Sequence, residues 1–358
     1  MSIKTNDIIM HKLGESLEVI PLADGGEEWL AYLETDVAAD ICHHPAWGTI
    51  FAGTFGLKSL LLIHRVAGKI DGGVPLIVFD QPLTGKALIS MPFLNYGGIL
   101  GQSESIRHDL ASGCRELLKL HGANYVELRH TGVGLGPKAD STRENRITYR
   151  LNINRPADDI FKSLRKQLRT RLRRAAEQEL THYRGIERID DFYRLFAMAM
   201  KEHGTPVMPR RFFELVLNHL NKHAEMMIAY KDNRPVGGKL VLRFKDRATM
   251  TWGCYPDRYK HLLANYHLTW ELIRQWAQGP IHTIDFGRSA PGSGGHDYKL
   301  NWGPEEIPIF VDYLASDPTR IPNLKPDNAK YRMAIAVWKR LPIGVTKLIG
   351  PRLARYFV

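Results

Sequence analysis

Two stretches of the chain alternate apolar and polar residues in the same order. The first, "SLLLIHRVAGKIDGGVPLIVFDQPLTGKALISMPFLNYGG" (Ser59 to Gly98), predicts three strands separated by polar turns and closes on Tyr96-Gly97-Gly98. The second, "MMIAYKDNRPVGGKLVLRFKDRATMTWGCYPDRY" (Met226 to Tyr259), repeats that plan, with turns at Asp232-Asn233 and Lys245-Asp246. Apolar spacing of three to four residues then predicts a helix after each triplet, over Ile106–Leu120 and Leu268–Ala277. A further strand follows each helix, "NYVELRH" in the first half and "HTIDFGR" in the second. A meander, a helix and a strand, present twice, imply a duplicated α/β or α+β unit.

The segment between the halves is patterned differently. In "DDIFKSLRKQLRTRLRRAAEQE" a 100° step places Phe161, Leu164, Leu168 and Leu172 on one face of a helix. Lys162, Arg165, Lys166, Arg169 and Arg173 fall on the other, where like charges repel at i,i+4 and form a cationic ridge suited to phosphate. The tail, "AKYRMAIAVWKRLPIGVTKLIGPRLARYFV", predicts two short apolar helices with interspersed cations. Such a tail either docks onto the body of the protein or lies on an anionic bilayer.

Composition narrows the partners. The 358 residues suit two domains, and a formal charge of +11 favours phosphates, nucleic acid or an acidic membrane surface. Three scattered cysteines, Cys42, Cys114 and Cys254, argue against a disulfide framework and against a zinc site built from cysteine pairs. No His, Asp, Glu and Cys set has metal-ligand spacing, so no metal is expected. The first residues lack the apolar core of a signal peptide and no run approaches a membrane span. A cytoplasmic chain is expected, with peripheral contact at the inner face of the membrane if the tail lies on lipid.

The most unusual stretch is "TIDFGRSAPGSGGHDYKLNWG" (Thr283 to Gly303). Its Asp-Phe-Gly is not a kinase signature, because the His-Arg-Asp loop and Gly-rich turn that must precede it are missing. Nor is "PGSGGHD" a P-loop, which ends in Gly-Lys-Ser/Thr.

Together with "HPAWGTIFAGTFG", "PFLNYGGIL", "VELRH", "HGTPVMPRRFFE" and "RYKHLLANYHLTWELIRQWA", that stretch resembles the FemAB-type branch of the GNAT acyltransferase superfamily. The similarity spans nearly the whole chain and is greatest to FemAB-like proteins that accompany bacterial exosortase and exopolysaccharide systems. It implies two tandem GNAT-like domains, each a mixed, mostly antiparallel sheet flanked by helices, with a cleft between them. It also implies an activated acyl or aminoacyl group transferred to an amine of a cell-envelope precursor: an exopolysaccharide, lipid-linked or peptidoglycan-type acceptor.

On that resemblance Lys299 matches the lysine of the Fem-type F-K-x-x-F/W-G signature and is expected to neutralise a phosphate or a developing oxyanion. Asp285 is expected to accept from the incoming ammonium or to pair with Arg288, and glycines 292, 294 and 295 to form a hinge that closes Lys299 on substrate. Asn95, Tyr96, Arg165, Arg169, Arg173, Tyr255, Asn265 and Trp302 are the expected binding residues. Glu127 and Arg129 are expected to form a buried ion pair, His43 and His44 to cap a helix, and His203 to be structural. The second half lacks the glycine-bearing pyrophosphate loop of acyl-CoA enzymes, and the chain lacks the coiled-coil arm of tRNA-gripping relatives. No bound cofactor is expected. Aminoacyl-tRNA, acyl-CoA and an acyl carrier protein stay open as donor co-substrates, and a catalytically inactive module that binds an anionic polymer or a membrane stays open as a rival. The expected division is 1–158 and 186–318 for the two domains, 159–185 for the connecting helix and 319–358 for the tail.

Overall fold

The computed structural model describes residues 11–81, 85–321 and 329–356. Residues 1–10, 82–84, 322–328 and 357–358, to which parts of the strand-triplet and tail expectations refer, lie outside the described residues. The chain forms two compact units: Met1–Arg146 with Pro308–Asn323, and Ile147–Ile307 with Leu324–Val358. The expected division was linear, whereas unit 1 here takes a strand from beyond unit 2, and unit 2 takes the tail helices that follow that strand.

Unit 1 begins with strands β1 (His11–Lys12) and β2 (Leu17–Pro21) and helices α1 (Gly26–Thr35) and α2 (Ala46–Phe55). The predicted triplet follows as β3 (Lys58–Val66), β4 (Lys69–Gln81) and β5 (Gly85–Ile89), all antiparallel. Ala67 and Gly68 both take positive φ, 49° and 79°, which is the twist a two-residue hairpin needs. After the two-residue β6 (Leu100–Gly101), Ser103 Oγ caps α3 (Glu104–Leu120) by accepting from the Ile106 N–H at 3.3 Å. The predicted "NYVELRH" strand is β7 (Tyr125–Thr131), which pairs parallel with β5. The other edge of β7 is completed antiparallel by Ile309–Ala315, from late in the chain. Leu62, Val74, Leu76, Leu88, Leu110, Val126 and Leu314 form the core under α3.

Unit 2 starts within β8 (Ser141–Asn152), whose last three residues pair antiparallel with the strand that ends in Asp285. The basic segment folds as two helices, α4 (Ala157–Ser163) and α5 (Lys166–Ala176), rather than one. Leu164 and Arg165 are extended, with ψ of 148° and 144°, and the break is stabilised because Arg169 Nη1 donates to the Lys162 carbonyl at 2.8 Å. The leucine stripe holds across the break: Leu164, Leu168 and Leu172 are buried. Strand β9 (Thr181–Arg184) and helices α6 (Ile189–His203) and α7 (Arg210–His219) precede the second triplet, β10 (Ala224–Lys231), β11 (Arg234–Phe244) and β12 (Arg247–Cys254). Its turns fall at the predicted residues, with φ of 49° at Asp232, 62° at Asn233 and 52° at Lys245. Helix α8 (Ala264–Trp276) and strand β13 (Thr283–Asp285) follow, and β13 pairs parallel with β12. The order of triplet, helix and parallel strand is therefore the same in both units. A short helix α9 (Gly294–Leu300) and strand β14 (Glu305–Ala315) lead to the tail helices α10 (Ala329–Arg340) and α11 (Ile343–Ala354), which pack on α6. Among the described residues no helix is long and apolar enough to cross a membrane.

Candidate active site

In unit 2 the end of β13 organises the opening loop. Ile284 points into the core, so the pleat sends Asp285 to the opposite face, where it is wholly buried. Its carboxylate accepts from Thr148 Oγ1 at 2.6 Å, the Gly287 N–H at 2.8 Å and Arg150 Nε at 3.2 Å. Arg150, across the strand pairing, forms a buried ion pair with Asp285. Three donors leave Asp285 acting as an anchor for the loop. Beside it Arg150, Arg155 and Arg247, with Glu305, line a cavity of about 550 Å³.

Lys299 lies on α9, which Ser293 caps. Of the three expected hinge glycines, Gly292 alone is left-handed, at φ 71°, while Gly294 and Gly295 form the first turn of the helix. Lys299 Nζ donates to the carbonyls of Gly287 and Arg288 at 2.8 and 2.9 Å and sits 5.3 Å above the Tyr149 ring. Those bonds clamp the loop onto the strand end. Burial lowers its pKa to about 8, against the opposing pull of Asp285. Arg288 enters this arrangement through its carbonyl.

A second lysine went unnoticed in the sequence. Lys239, inside β11, is buried, and its Nζ donates to Thr269 Oγ1 on α8 and lies 3.3 Å from Met250 Sδ. No acid pairs with it among the described residues, and burial alone pushes its pKa down to about 7. Thr269 Oγ1 in turn donates to the Asn265 carbonyl at 2.7 Å and lies 3.1 Å from Tyr298 Oη. Tyr255 packs on Gly237 and Gly253, where a Cβ would come within 3.0 and 2.9 Å of its ring; its buried hydroxyl lacks a partner among the described residues. Trp302 is 1% exposed, stacks with Tyr266, meets Tyr298 edge-on and lies tilted against Phe286. Thus Tyr255, Asn265 and Trp302 gather around Lys239 and Tyr298. The available signal was a lysine at the centre of "VGGKLVLRF", a run too apolar for a solvent-facing strand.

The remaining expected residues lie elsewhere. Arg165 and Arg173 are exposed on the α5 side, Arg169 is half-buried, and Arg173 lies 5.7 Å from the Phe161 ring. In unit 1, Tyr96 is buried and Asn95 half-buried in the loop after β5. That loop is fixed by Arg129 Nη1 donating to the Leu94 carbonyl, by His43 Nε2 against the Gly98 carbonyl and by the Ile99 N–H donating to His130 Nε2. Glu127 and Arg129 form the expected ion pair at 2.7 Å. His43 Nδ1 accepts from the Asp40 N–H, and His44 Nδ1 from the Ala46 N–H, as capping requires. His203 is exposed at the end of α6. Among the described residues no three His, Cys, Asp or Glu side chains are placed to hold a metal ion, and all three cysteines are buried free thiols.

Residues 162–300 match the family model described as an acetyltransferase (GNAT) domain. No curated protein matches the chain by sequence. Among solved structures, FemX superimposes with a TM-score of 0.64 at 13% identity, covering 79% of this chain and 94% of that one. L-PGS from Bacillus licheniformis gives a TM-score of 0.53 at 10% identity, covering 96% and 99% respectively. At such identities the likeness is one of fold. Residues 162–300 thus carry an acetyltransferase (GNAT) type domain, in a chain whose fold is similar to that of FemX.

Proposed function

We propose that the chain transfers an acyl or aminoacyl group to an amine on a cell-envelope precursor, and that unit 2 carries out the chemistry. The observation that carries this reading is a pair of lysines in unit 2 without a carboxylate contact, the half-buried Lys299 with its pKa near 8 and the buried Lys239 with its pKa near 7. Transfer needs an acceptor amine in its uncharged form and a stabilised oxyanion. Lys299, charged at neutral pH and already oriented by two carbonyls, supplies positive charge at the strand end. Lys239, uncharged in a large fraction of molecules, takes the proton by way of Thr269 Oγ1 and Tyr298 Oη. The arginine-lined cavity below Asp285 suits an anionic acceptor. The domain match and the FemX-like fold support the class of reaction. The donor is proposed to be aminoacyl-tRNA or a carrier-bound acyl group, since α8 is preceded by no glycine loop to approach a CoA pyrophosphate.

The test uses the full chain with aminoacyl-tRNA, acyl-CoA and acyl-carrier donors against a panel of envelope amines. For the pair that turns over, Lys299→Met is expected to lower kcat/KM roughly 100-fold and to leave the acceptor Kd within about threefold. A protein that only binds an anionic polymer would show no turnover with any pair and would respond to Arg165, Arg169 and Arg173 instead. Unchanged turnover in Lys299→Met would remove the role given to that lysine.

A further inference from the structure

The tail helices have two faces, and only one is used by the fold. On the inner side Trp338, Thr346, Gly350 and Ala354 are buried. A Cβ on Gly204 would come within 2.5 Å of Ile335 Cγ2, and one on Gly350 within 2.8 Å of Val207, so the helices fit closely against the end of α6. Lys347 Nζ lies 5.6 Å from the Tyr193 ring. The outer side is different. Met333 and Val337, one turn apart on α10, are 66% and 54% exposed, and Leu348 on α11 is 68% exposed. Val345, one turn before Leu348 on α11, is 39% exposed. Over Ala329–Tyr356 the sequence holds seven lysines and arginines and not one acidic residue.

We infer that the outer face of α10 and α11 is a docking surface for an anionic lipid bilayer, with the apolar side chains entering the acyl boundary and the cations contacting lipid phosphates. Charge selects this occupant. A second copy of the hairpin would bring cations against cations, whereas an acidic leaflet offers each of them a counter-charge. The apolar side chains supply the part of the binding that salt does not screen. The helices are too short to span, so the chain rests on the surface. This surface stands apart from the catalytic reading, but it deepens that reading by naming where a membrane-attached acceptor would be met.

The decisive measurement is co-sedimentation of the full chain with vesicles of phosphatidylcholine alone or mixed with phosphatidylglycerol, at low and high salt. The expected result is at least tenfold stronger partition onto the mixed vesicles, weakened by salt. The double variant Val337→Asp/Leu348→Asp is expected to lose at least tenfold, and Arg340→Ala/Arg352→Ala roughly three- to tenfold. Both should keep the wild-type circular dichroism and wild-type turnover on water-soluble substrates, which separates failure of docking from failure of the transferase reading. Three results would overturn the inference: equal partition onto both vesicle types, partition unchanged in the folded aspartate variant, or a dimer abolished by that variant with no vesicle binding in either protein.

Discussion

The two units repeat one order of elements and treat buried charge in opposite ways. Unit 1 pairs its charges: Arg129 with Glu127, His64 Nδ1 with Asp71 at 2.6 Å, and His130 Nδ1 with Asp312 at 2.9 Å. Burial raises the Asp312 carboxyl, but its bonds from His130 and Thr142 more than offset this and hold it below its ordinary value, while burial lowers His130. The pair is thus a neutral imidazole on a carboxylate, and it pins the loop where Met91 and Phe93 sit at φ of 49° and 68°. Unit 2 pairs Asp285 with Arg150 but leaves Lys239 and Lys299 to carbonyls, a hydroxyl, a thioether and a ring. A fold that balances its charges in one unit and keeps spare ammonium groups in the other is what the proposed division of scaffold from chemistry would require.

The largest effects should come from the two buried carboxylates. Asp285→Ala and Asp312→Ala each strand buried donors, at a cost of about 3–5 kcal/mol, which urea unfolding of the full chain would read. The folded fraction of Asp285→Ala should also lose turnover, while that of Asp312→Ala should retain it. The reverse outcome would end the division of labour proposed here.

Lys239 comes next. Its folded pKa, near 7, lies below the ordinary lysine value of about 10.4. The folded state therefore disfavours the protonated form, so stability rises with pH from about 7 towards 10.4 and flattens outside that window. Lys239→Met should remove this slope and stabilise the protein at pH 7 by roughly 2–4 kcal/mol. It should also abolish the limb of the kcat pH profile near 7. A variant that keeps that limb would show that Thr269 and Tyr298 serve another base.

A smaller effect tests the tail. Gly204 has φ 79° and faces Ile335, so Gly204→Ala should cost about 1–2 kcal/mol through looser docking of α10. Faster hydrogen exchange confined to 333–354 would report it.

Much of the fold was legible because local chemistry decides it. Turn residues such as Asp232-Asn233 accept positive φ, and the leucine spacing of 164, 168 and 172 matches the buried face whether the helix is broken or whole. The break itself was hidden. No proline or glycine marks it, and the Arg169 bond that closes α4 needs the folded chain. Of the site, the cluster around Asp285 and Lys299 could be named from the sequence but not its bonding, since Arg150 lies 135 positions away. Lys239 was passed over because a single lysine in a strand ordinarily faces water, and only the burial of both sides of β11 makes it internal.

The borrowed strand also sets a timetable. When a ribosome has released the chain as far as Ile307, Tyr125–Thr131 still has an open edge, and His130 still waits for its carboxylate. Unit 1 therefore closes only after residues 147–307 of unit 2 have been made. A nascent chain stalled before Pro308 would expose that edge to any passing strand, so cellular yield should depend on how quickly Ile309–Ala315 emerges.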